Sequence, residues 1–299
     1  MSLQLIQSPL NYTGGKFRLL PQLLQHFPTD ISTFIDLFCG GANVGININA
    51  PNIIFNDSDK NVIQLLHTII KTETIFSEIS NLISKYNFSH SAQYGYEYYG
   101  CKSSEGLAPY NRQPYLNLRS DFNIQNDDYI KLFALIVFAF NNQIRFNSKG
   151  EFNLPVGKRD FNRRMQQKLS LFSHRLNENP ERYQFQNNDF RNFDASKLAS
   201  DSFIYCDPPY LITCATYCER NAWTAFDEND LYDFLDTLNN NQIRFALSNV
   251  LESKGSQNLI LNNWAKKYRI IPLEYNYANS NYHKQDKSRN AQEVLIVNY

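Results

Sequence analysis

Two hydrophobic patterns divide this chain. Short apolar-rich runs at 33–37, 53–56, 203–206, 244–248, 269–273 and 293–298 predict strands, that at 203–206 buried and parallel, and the alternating 183–187 predicts another. Between them, three- and four-residue spacing predicts helices. One covers 17–27, with Phe17, Leu19, Leu20, Leu23, Leu24 and Phe27 on one face, and others cover 228–238 and 257–267. The alternation stops after 70 and resumes near Tyr183. Residues 59–86 read as one helix, 87–114 as a loop rich in Ser, Tyr and Gly, 115–122 and 127–140 as helices, and 141–157 as a hairpin turning near Lys149-Gly150. An insertion at 71–179 therefore folds as a mainly helical second domain, and 1–70 with 180–299 form a discontinuous α/β domain.

Composition narrows the classes. The 299 residues suffice for one large domain or two modest ones, and 29 basic against 29 acidic residues leave global charge silent about partners. Five cysteines, odd in number and partly inside predicted strands, fit a reducing cytoplasm. Cys206, Cys214 and Cys218 lack C-x-x-C pairing and a fourth ligand, so no metal is expected. No signal segment and no 18-residue apolar run is present, so neither secretion nor a membrane span is expected. The 19 Tyr and 22 Phe are mostly core, with an aromatic cleft permitted.

Candidate chemistry gathers at strand ends. The run 203–206 stops at Asp207-Pro208-Pro209-Tyr210, which puts a carboxylate, rigid peptide oxygens and an aromatic face where an open α/β sheet binds ligands. Two acceptors and a ring suit a planar substrate with an exocyclic amine, although a Pro-Pro turn alone would look the same. Gly14, Gly15 and Lys16 open the first helix, where backbone N–H groups and the Lys16 ammonium can hold an anion. Spacing and the missing hydroxyl exclude a nucleotide P-loop. Asp36, Phe38, Gly40, Gly41 and Gly45 follow the first strand, as at a nucleotide-binding βα turn. Asp57 ends the second strand, placed for ribose hydroxyls or for capping the next helix. Residues 145–168 carry seven basic side chains against two acidic ones, which suits a DNA groove or a solvated loop.

Tyr12-Thr13-Gly14-Gly15-Lys16, Asp36-Leu37-Phe38-Cys39-Gly40-Gly41 and Asp207-Pro208-Pro209-Tyr210, in that order, resemble the Dam-type (D12 class, alpha group) S-adenosylmethionine-dependent DNA adenine-N6 methyltransferases of restriction-modification or solitary systems. The resemblance runs from about residue 8 to the C-terminus. It implies a Rossmann-like class I methyltransferase sheet with an inserted, mainly helical DNA-recognition domain carrying a β-hairpin. It implies S-adenosylmethionine as cofactor, S-adenosylhomocysteine as product, and double-stranded DNA as partner, with a restriction endonuclease acting separately. Tyr12, Gly14, Lys16, Asp36, Phe38, Gly40, Asp57, Asp189, Phe190 and Asp207 are then expected at the cofactor, although Asp189 equally suits a turn cap. Asp207, Pro208 and Tyr210 are expected at a flipped-out adenine.

For DNA, the resemblance places Arg145 and Pro155 at base-reading positions, with Asn11, Asn141, Gln143, Asn147, Lys149, Asn153, Lys158 and Arg159 around them. The polar loop 279–290, with His283, Lys284, Lys287 and Arg289, is compatible with phosphate contacts. Asn11 and Gln143 depart from the Lys and Leu usual in GATC-type members, which favours CATG over GATC as a short palindromic site. Transfer to RNA, protein glutamine or cytosine N4 is the rival enzymatic reading, and a catalytically dead DNA-binding module the non-enzymatic one.

Overall fold

The computed structural model describes residues 4–12, 14–71, 74–213, 223–274 and 292–299. Its elements run α1 (Leu20–His26), β1 (Thr33–Asp36), β2 (Asn52–Asn56), α2 (Lys60–Lys71), α3 (Ile75–Tyr86), α4 (Ser91–Tyr94), α5 (Ala108–Ile124), α6 (Tyr129–Phe138) and α7 (Arg163–Glu178). Then follow β3 (Tyr183–Gln186), β4 (Phe203–Cys206), α8 (Ala225–Asn240), β5 (Arg244–Ser253), β6 (Ser256–Gln257), α9 (Leu259–Trp264), β7 (Arg269–Pro272) and β8 (Gln292–Val297). They form two compact units, one of residues 1–15 and 59–181, the other of 16–58 and 182–299. The expected boundaries lay at 70/71 and 179/180. In the structure α2 packs on α6 and α7, so it belongs with the inserted helices.

The second unit is built on one sheet of order β3-β2-β1-β4-β5-β8-β7, with β6 paired to β5. The first five strands are parallel, and β8 runs antiparallel between β5 and β7. This is a doubly wound, Rossmann-like sheet whose central strands are apolar throughout because α helices cover them. Register places the chemistry. Asp36 pairs with Phe55 on one side and Tyr205 on the other, so Asp36, Asp57 and Asp207 all stand at the carboxyl ends of adjacent parallel strands. Ile35, Ile204, Phe245, Leu247 and Ile296 form the floor beneath, fully buried with Leu231 and Leu235 of α8 and Leu261 of α9.

Boundaries moved where capping outweighed periodicity. Helix α8 starts at Ala225, before the expected 228, because Thr224 and Asp227 form a reciprocal capping box. The first predicted helix begins instead as a tight turn at Lys16–Arg18, and α1 opens at Leu20 with proline in its first turn, where no N–H is missed. Residues 257–267 split into α9 and a short 3-10 turn, Ala265–Lys267.

The helical unit centres on α6, seven of whose ten residues are buried, as an element apolar on every side requires. The single helix expected over 59–86 is two, α2 and α3, and α5 begins before Pro114 rather than after it, carrying that buried proline inside. The expected hairpin departs further from a regular ladder. Only isolated bridges, Phe146↔Phe152 and Ala139↔Val156, join its arms. Side chains of α5 take the backbone groups instead. Asn123 bonds both the N–H (2.8 Å) and the carbonyl (3.1 Å) of Phe152, while the Tyr115 hydroxyl and Arg119 both donate to Leu154 O at 3.0 Å. The turn itself lies at Asn147–Gly150, with Gly150 at φ +77°.

Gly157 closes this segment against α6. A Cβ there would meet Ala139 O at 2.3 Å and Ala139 C at 2.7 Å, both backbone atoms that cannot step aside. Gly157→Ala is expected to destabilise the helical unit by about 1–3 kcal/mol, read as a lower urea midpoint; an unchanged midpoint would show the backbone there to be yielding.

Candidate active site

Main-chain donors hold the acidic strand tips in place. The Gly45 N–H donates to Asp36 Oδ2 at 2.9 Å, and the Gly40 N–H to Asp57 Oδ2 at 2.8 Å. Gly40 turns at φ +47°, and a Cβ on Gly45 would meet the Phe55 ring at 2.5 Å and Asp36 Oδ2 at 3.1 Å, so the loop after β1 lies directly on the strands. Asn56, 1 % exposed, ties β2 to its neighbours. Its amide donates to Leu37 O and Asn188 O and accepts from Asn188 N. The helix cap at α2 falls to Asp59, which accepts from Asn61 N at 2.9 Å, and Asp57 faces the Gly40 loop.

The densest charge cluster forms around Lys16, a residue expected to hold a ligand anion. Its side chain is buried and directed at carboxylates of the chain itself, with Nζ 2.8 Å from Asp207 Oδ1 and 3.4 Å from Glu293 Oε1. The Tyr210 hydroxyl directs its proton between the same two oxygens, at 2.9 and 3.0 Å, and the ammonium lies 4.9 Å from that ring's centre. Burial pulls the Lys16 pKa down, but attraction to Asp207 and Glu293 outweighs it and the net shift is upward. Burial pushes Glu293 up against the opposing pull of Lys16, and burial followed by the two carboxylates pushes Tyr210 far up, keeping it a neutral donor. One cation faces two carboxylates. Below them the Tyr205 and Ser248 hydroxyls share a buried 2.7 Å bond.

The sequence pattern marks Glu293 only as the start of the last strand. The available signal was an acid heading the run Glu293–Val297, yet only the pairing of β8 beside β5 brings it to Asp207. Trp223 was also missed. It packs on Phe38 (5.9 Å between ring centres) and Phe190 (5.8 Å), and Phe38 and Phe190 touch each other at 5.6 Å, so three rings make one apolar wall. The Trp223 indole N–H is anchored on the fully buried Glu228, which also binds Tyr232 and Asn258. Asp189 caps the turn at Phe190–Asn192 through Arg191 N, and Arg191 bridges Asp189, Asp227 and Asp230 while covering the Phe190 ring.

Tyr12 and Gly14 belong to the helical unit, as do Asn11 and the expected DNA contacts of 141–159. There the Asn11 amide donates to Asn141 O at 2.6 Å, joining two candidates 130 residues apart. Arg145 is braced by Asn153 through its Nε (2.8 Å) and Nη2 (3.1 Å), and Asn147 accepts from the N–H groups of Lys149 and Glu151. Asn142 caps the end of α6 through Ile136 O and Val137 O. Gln143 is half-buried, whereas Arg145, Lys149, Pro155, Lys158 and Arg159 are exposed. Thr13, Cys214, Cys218 and the 279–290 loop lie outside the described residues.

An open parallel sheet with a glycine-rich first turn and acids at successive strand tips defines the class of α/β proteins that bind nucleotide-type cofactors at their carboxyl edge. The model of the D12 class N6 adenine-specific DNA methyltransferases matches residues 12–279, and the chain belongs to that family. It is 39 % identical over 302 residues to the type II methyltransferase M.FokI of Planomicrobium okeanokoites and 38 % identical over 302 residues to the modification methylase StsI of Streptococcus sanguinis. Each alignment covers 98 % of this chain and 43 % of the relative, so the chain spans less than half the length of either. A DNA adenine methylase of Vibrio cholerae is 26 % identical over 236 residues, covering 76 % of this chain and 75 % of that one.

Burial pushes the Asp36 carboxyl up to about 7; the Gly45 N–H opposes the shift, and Asp207 and Asp57 add to it. The folded protein thus holds this proton more tightly than the unfolded chain, whose carboxyl has the ordinary value of 3.8. Its contribution favours folding below the ordinary value and is lost as pH rises through about 7. Asp36→Asn, which keeps an oxygen for Gly45, is expected to gain stability over the wild type as pH climbs through that window, by a few kcal/mol, and to stay level above it. Urea unfolding across that range measures the difference, and parallel curves would remove burial as the cause.

Proposed function

We propose that this chain transfers a methyl group from S-adenosylmethionine to the N6 amine of an adenine flipped out of duplex DNA. The observation carrying the reading is the Lys16–Asp207–Glu293–Tyr210 cluster at the tip of β4, in a chain of the D12 class.

The donor set suits the cofactor. Asp36, Asp57 and Asp207 offer carboxylates at adjacent strand tips to ribose hydroxyls and a cationic sulfonium, the glycine loop admits a ligand close to the backbone, and Phe38, Phe190 and Trp223 offer an apolar wall to its adenine. When bound, S-adenosylmethionine supplies an activated methyl group, and the protein's task is alignment.

The adenine amine is a weak nucleophile because its lone pair is delocalised into the ring. Both bonds from Lys16 and Tyr210 reach Asp207 through Oδ1, which leaves Oδ2 to accept one amine proton, while the Pro208 carbonyl accepts the other. Those two bonds draw the nitrogen toward tetrahedral geometry and release its lone pair, so that an N–CH3 bond would form as the methyl–sulfur bond of the donor breaks, leaving S-adenosylhomocysteine, and one amine proton would leave through Asp207. Lys16 takes one face of the Tyr210 ring, and the extruded base stacks on the other, offsetting part of an unstacking cost of about a few kcal/mol. Glu293 is a positioning residue. It holds the Tyr210 hydroxyl and the ammonium, and so sets the rotamer of Asp207.

The helical unit reads the site through the 141–157 segment, with Arg145 and Pro155 at bases and Lys149, Lys158 and Arg159 at phosphates. Asn11, bonded to Asn141 where GATC-type members carry Lys, favours CATG over GATC. The relatives' names as modification methylases support a separate restriction endonuclease as the chain's counterpart.

Asp207→Ala is expected to lower kcat by at least about 10²–10³-fold while duplex and cofactor binding survive in part; an active variant refutes the assignment. Tyr210→Phe should keep much of the activity and Tyr210→Ala should not. Glu293→Gln, which keeps an oxygen for Tyr210 but removes a charge, should lower kcat with little change in KM for DNA and shift the pH profile. An unchanged profile would reduce Glu293 to a structural role. Sequencing of modified bases in DNA from an expressing host reads the target site, and modification confined to GATC would overturn the inference from Asn11.

A further inference from the structure

Four tyrosines of the helical unit, Tyr94, Tyr96, Tyr98 and Tyr110, remain exposed, and three of them are in ring contact with another tyrosine. Tyr94 and Tyr98 stack at 5.0 Å between ring centres, Tyr98 meets Tyr99 at 5.0 Å, and Tyr99 meets Tyr110 at 4.7 Å. Tyr94, Tyr98 and Tyr110 are 51, 70 and 47 % exposed, which makes a contiguous aromatic patch where scattered surface rings are the rule.

A second segment is fastened along this patch. Asp160, 1 % exposed, accepts from Ser91 N (2.8 Å), Ser91 Oγ (2.5 Å) and Ser89 Oγ (2.8 Å). Leu107 N donates to Lys158 O at 3.0 Å, Asn162 donates to the Tyr96 hydroxyl at 3.2 Å, and Arg163 Nε donates to Ala92 O at 3.2 Å. Gly106 lies so close that a Cβ would stand 2.5 Å from Lys158 O. Residues 158–163 therefore ride on 89–107, and the side chains of Lys158, Arg159 and Arg163 emerge exposed beside the rings. Two exposed acids, Glu97 and Glu105, belong to the tyrosine segment, which leaves cations in the majority.

We propose that the tyrosine segment 94–110 and the basic segment 158–163 form one surface that grips the phosphate backbone of duplex DNA beside the bases read by residues 143–155. Cations pair with phosphates, tyrosine hydroxyls donate to phosphate oxygens, and the ring faces cover deoxyribose. Distance along the chain supports the placement. Pro155 and Lys158 are three residues apart, at most about 11 Å of backbone, or roughly three base pairs of duplex. Gly157 N, bonded to Phe138 O at 2.7 Å, fixes the chain between them. The inference rests on the DNA-methyltransferase reading and extends the phosphate contact given there to Lys158 and Arg159 by adding Arg163 and the tyrosine rings, which carry affinity without sequence choice.

Fluorescence anisotropy of the 299-residue chain with arbitrary duplexes of about 10 and about 30 base pairs, over a range of salt, tests it. Lys158→Glu/Arg159→Glu is expected to weaken binding of the longer duplex by about tenfold or more and to reduce the slope of log Kd against log salt by about 2. Tyr98→Ala is expected to weaken the same duplex severalfold with the slope kept, its urea midpoint showing that the fold survives. Variants that bind like the wild type overturn the surface. So does a Tyr94→Ala/Tyr98→Ala variant that alters sedimentation but not DNA affinity, which would make the patch a contact between copies of this chain. Wild-type protein that retains neither duplex overturns the functional reading as well, a result distinct from normal binding by the variants.

Discussion

Lys16 gives up nearly all its water, and the loss is offset only because Asp207 Oδ1 and Glu293 Oε1 stand 2.8 and 3.4 Å from its Nζ. A buried pair of this kind contributes little net stability, but removing one partner strands a charge in a dry site at a cost of about 3–5 kcal/mol. Its value is geometric. Lys16 leads into the first helix, Asp207 and Tyr210 follow β4, and Glu293 lies on β8, so the ammonium ties three distant parts of the chain to one point.

The same economy governs the aromatic wall. Phe38, Phe190 and Trp223 come from three loops, and loops carry no register of their own. Their positions are imposed by polar anchors, one buried and one at the surface. Glu228 receives the Trp223 indole, and Arg191 spans three carboxylates while covering Phe190. Charged groups here act as spacers for apolar ones. Fully satisfied, such networks specify one arrangement more sharply than apolar packing alone.

In the helical unit the 141–157 segment is braced rather than woven. A two-stranded ribbon in water is marginal, and the 141–157 segment has only isolated bridges between its arms. Asn123, Tyr115 and Arg119 of α5 accept the task that a third strand would perform. Polar side chains on one face of α5 therefore determine the shape presented by Arg145 and Pro155. The Asn11–Asn141 bond extends the same bracing to the N-terminal stretch.

Much of the sheet was legible because its strands are short apolar runs, ended by Asp at 33–36 and at 203–206, a pattern that local chemistry alone produces. The three motifs at Tyr12, Asp36 and Asp207 were equally plain, since each turn needs particular residues at fixed neighbours. Helix ends were less so. The Thr224–Asp227 box and the proline tolerated inside α5 depend on competition between local rules. Glu293 and Trp223 were invisible because an acid at a strand end or an indole in a loop takes its meaning from what stands opposite. The sequence determined which residue types end each strand. Only tertiary structure decided that Lys16 faces Asp207 and that Glu293 joins them, because a buried charge takes its partner from across the fold, where spacing along the chain carries no information.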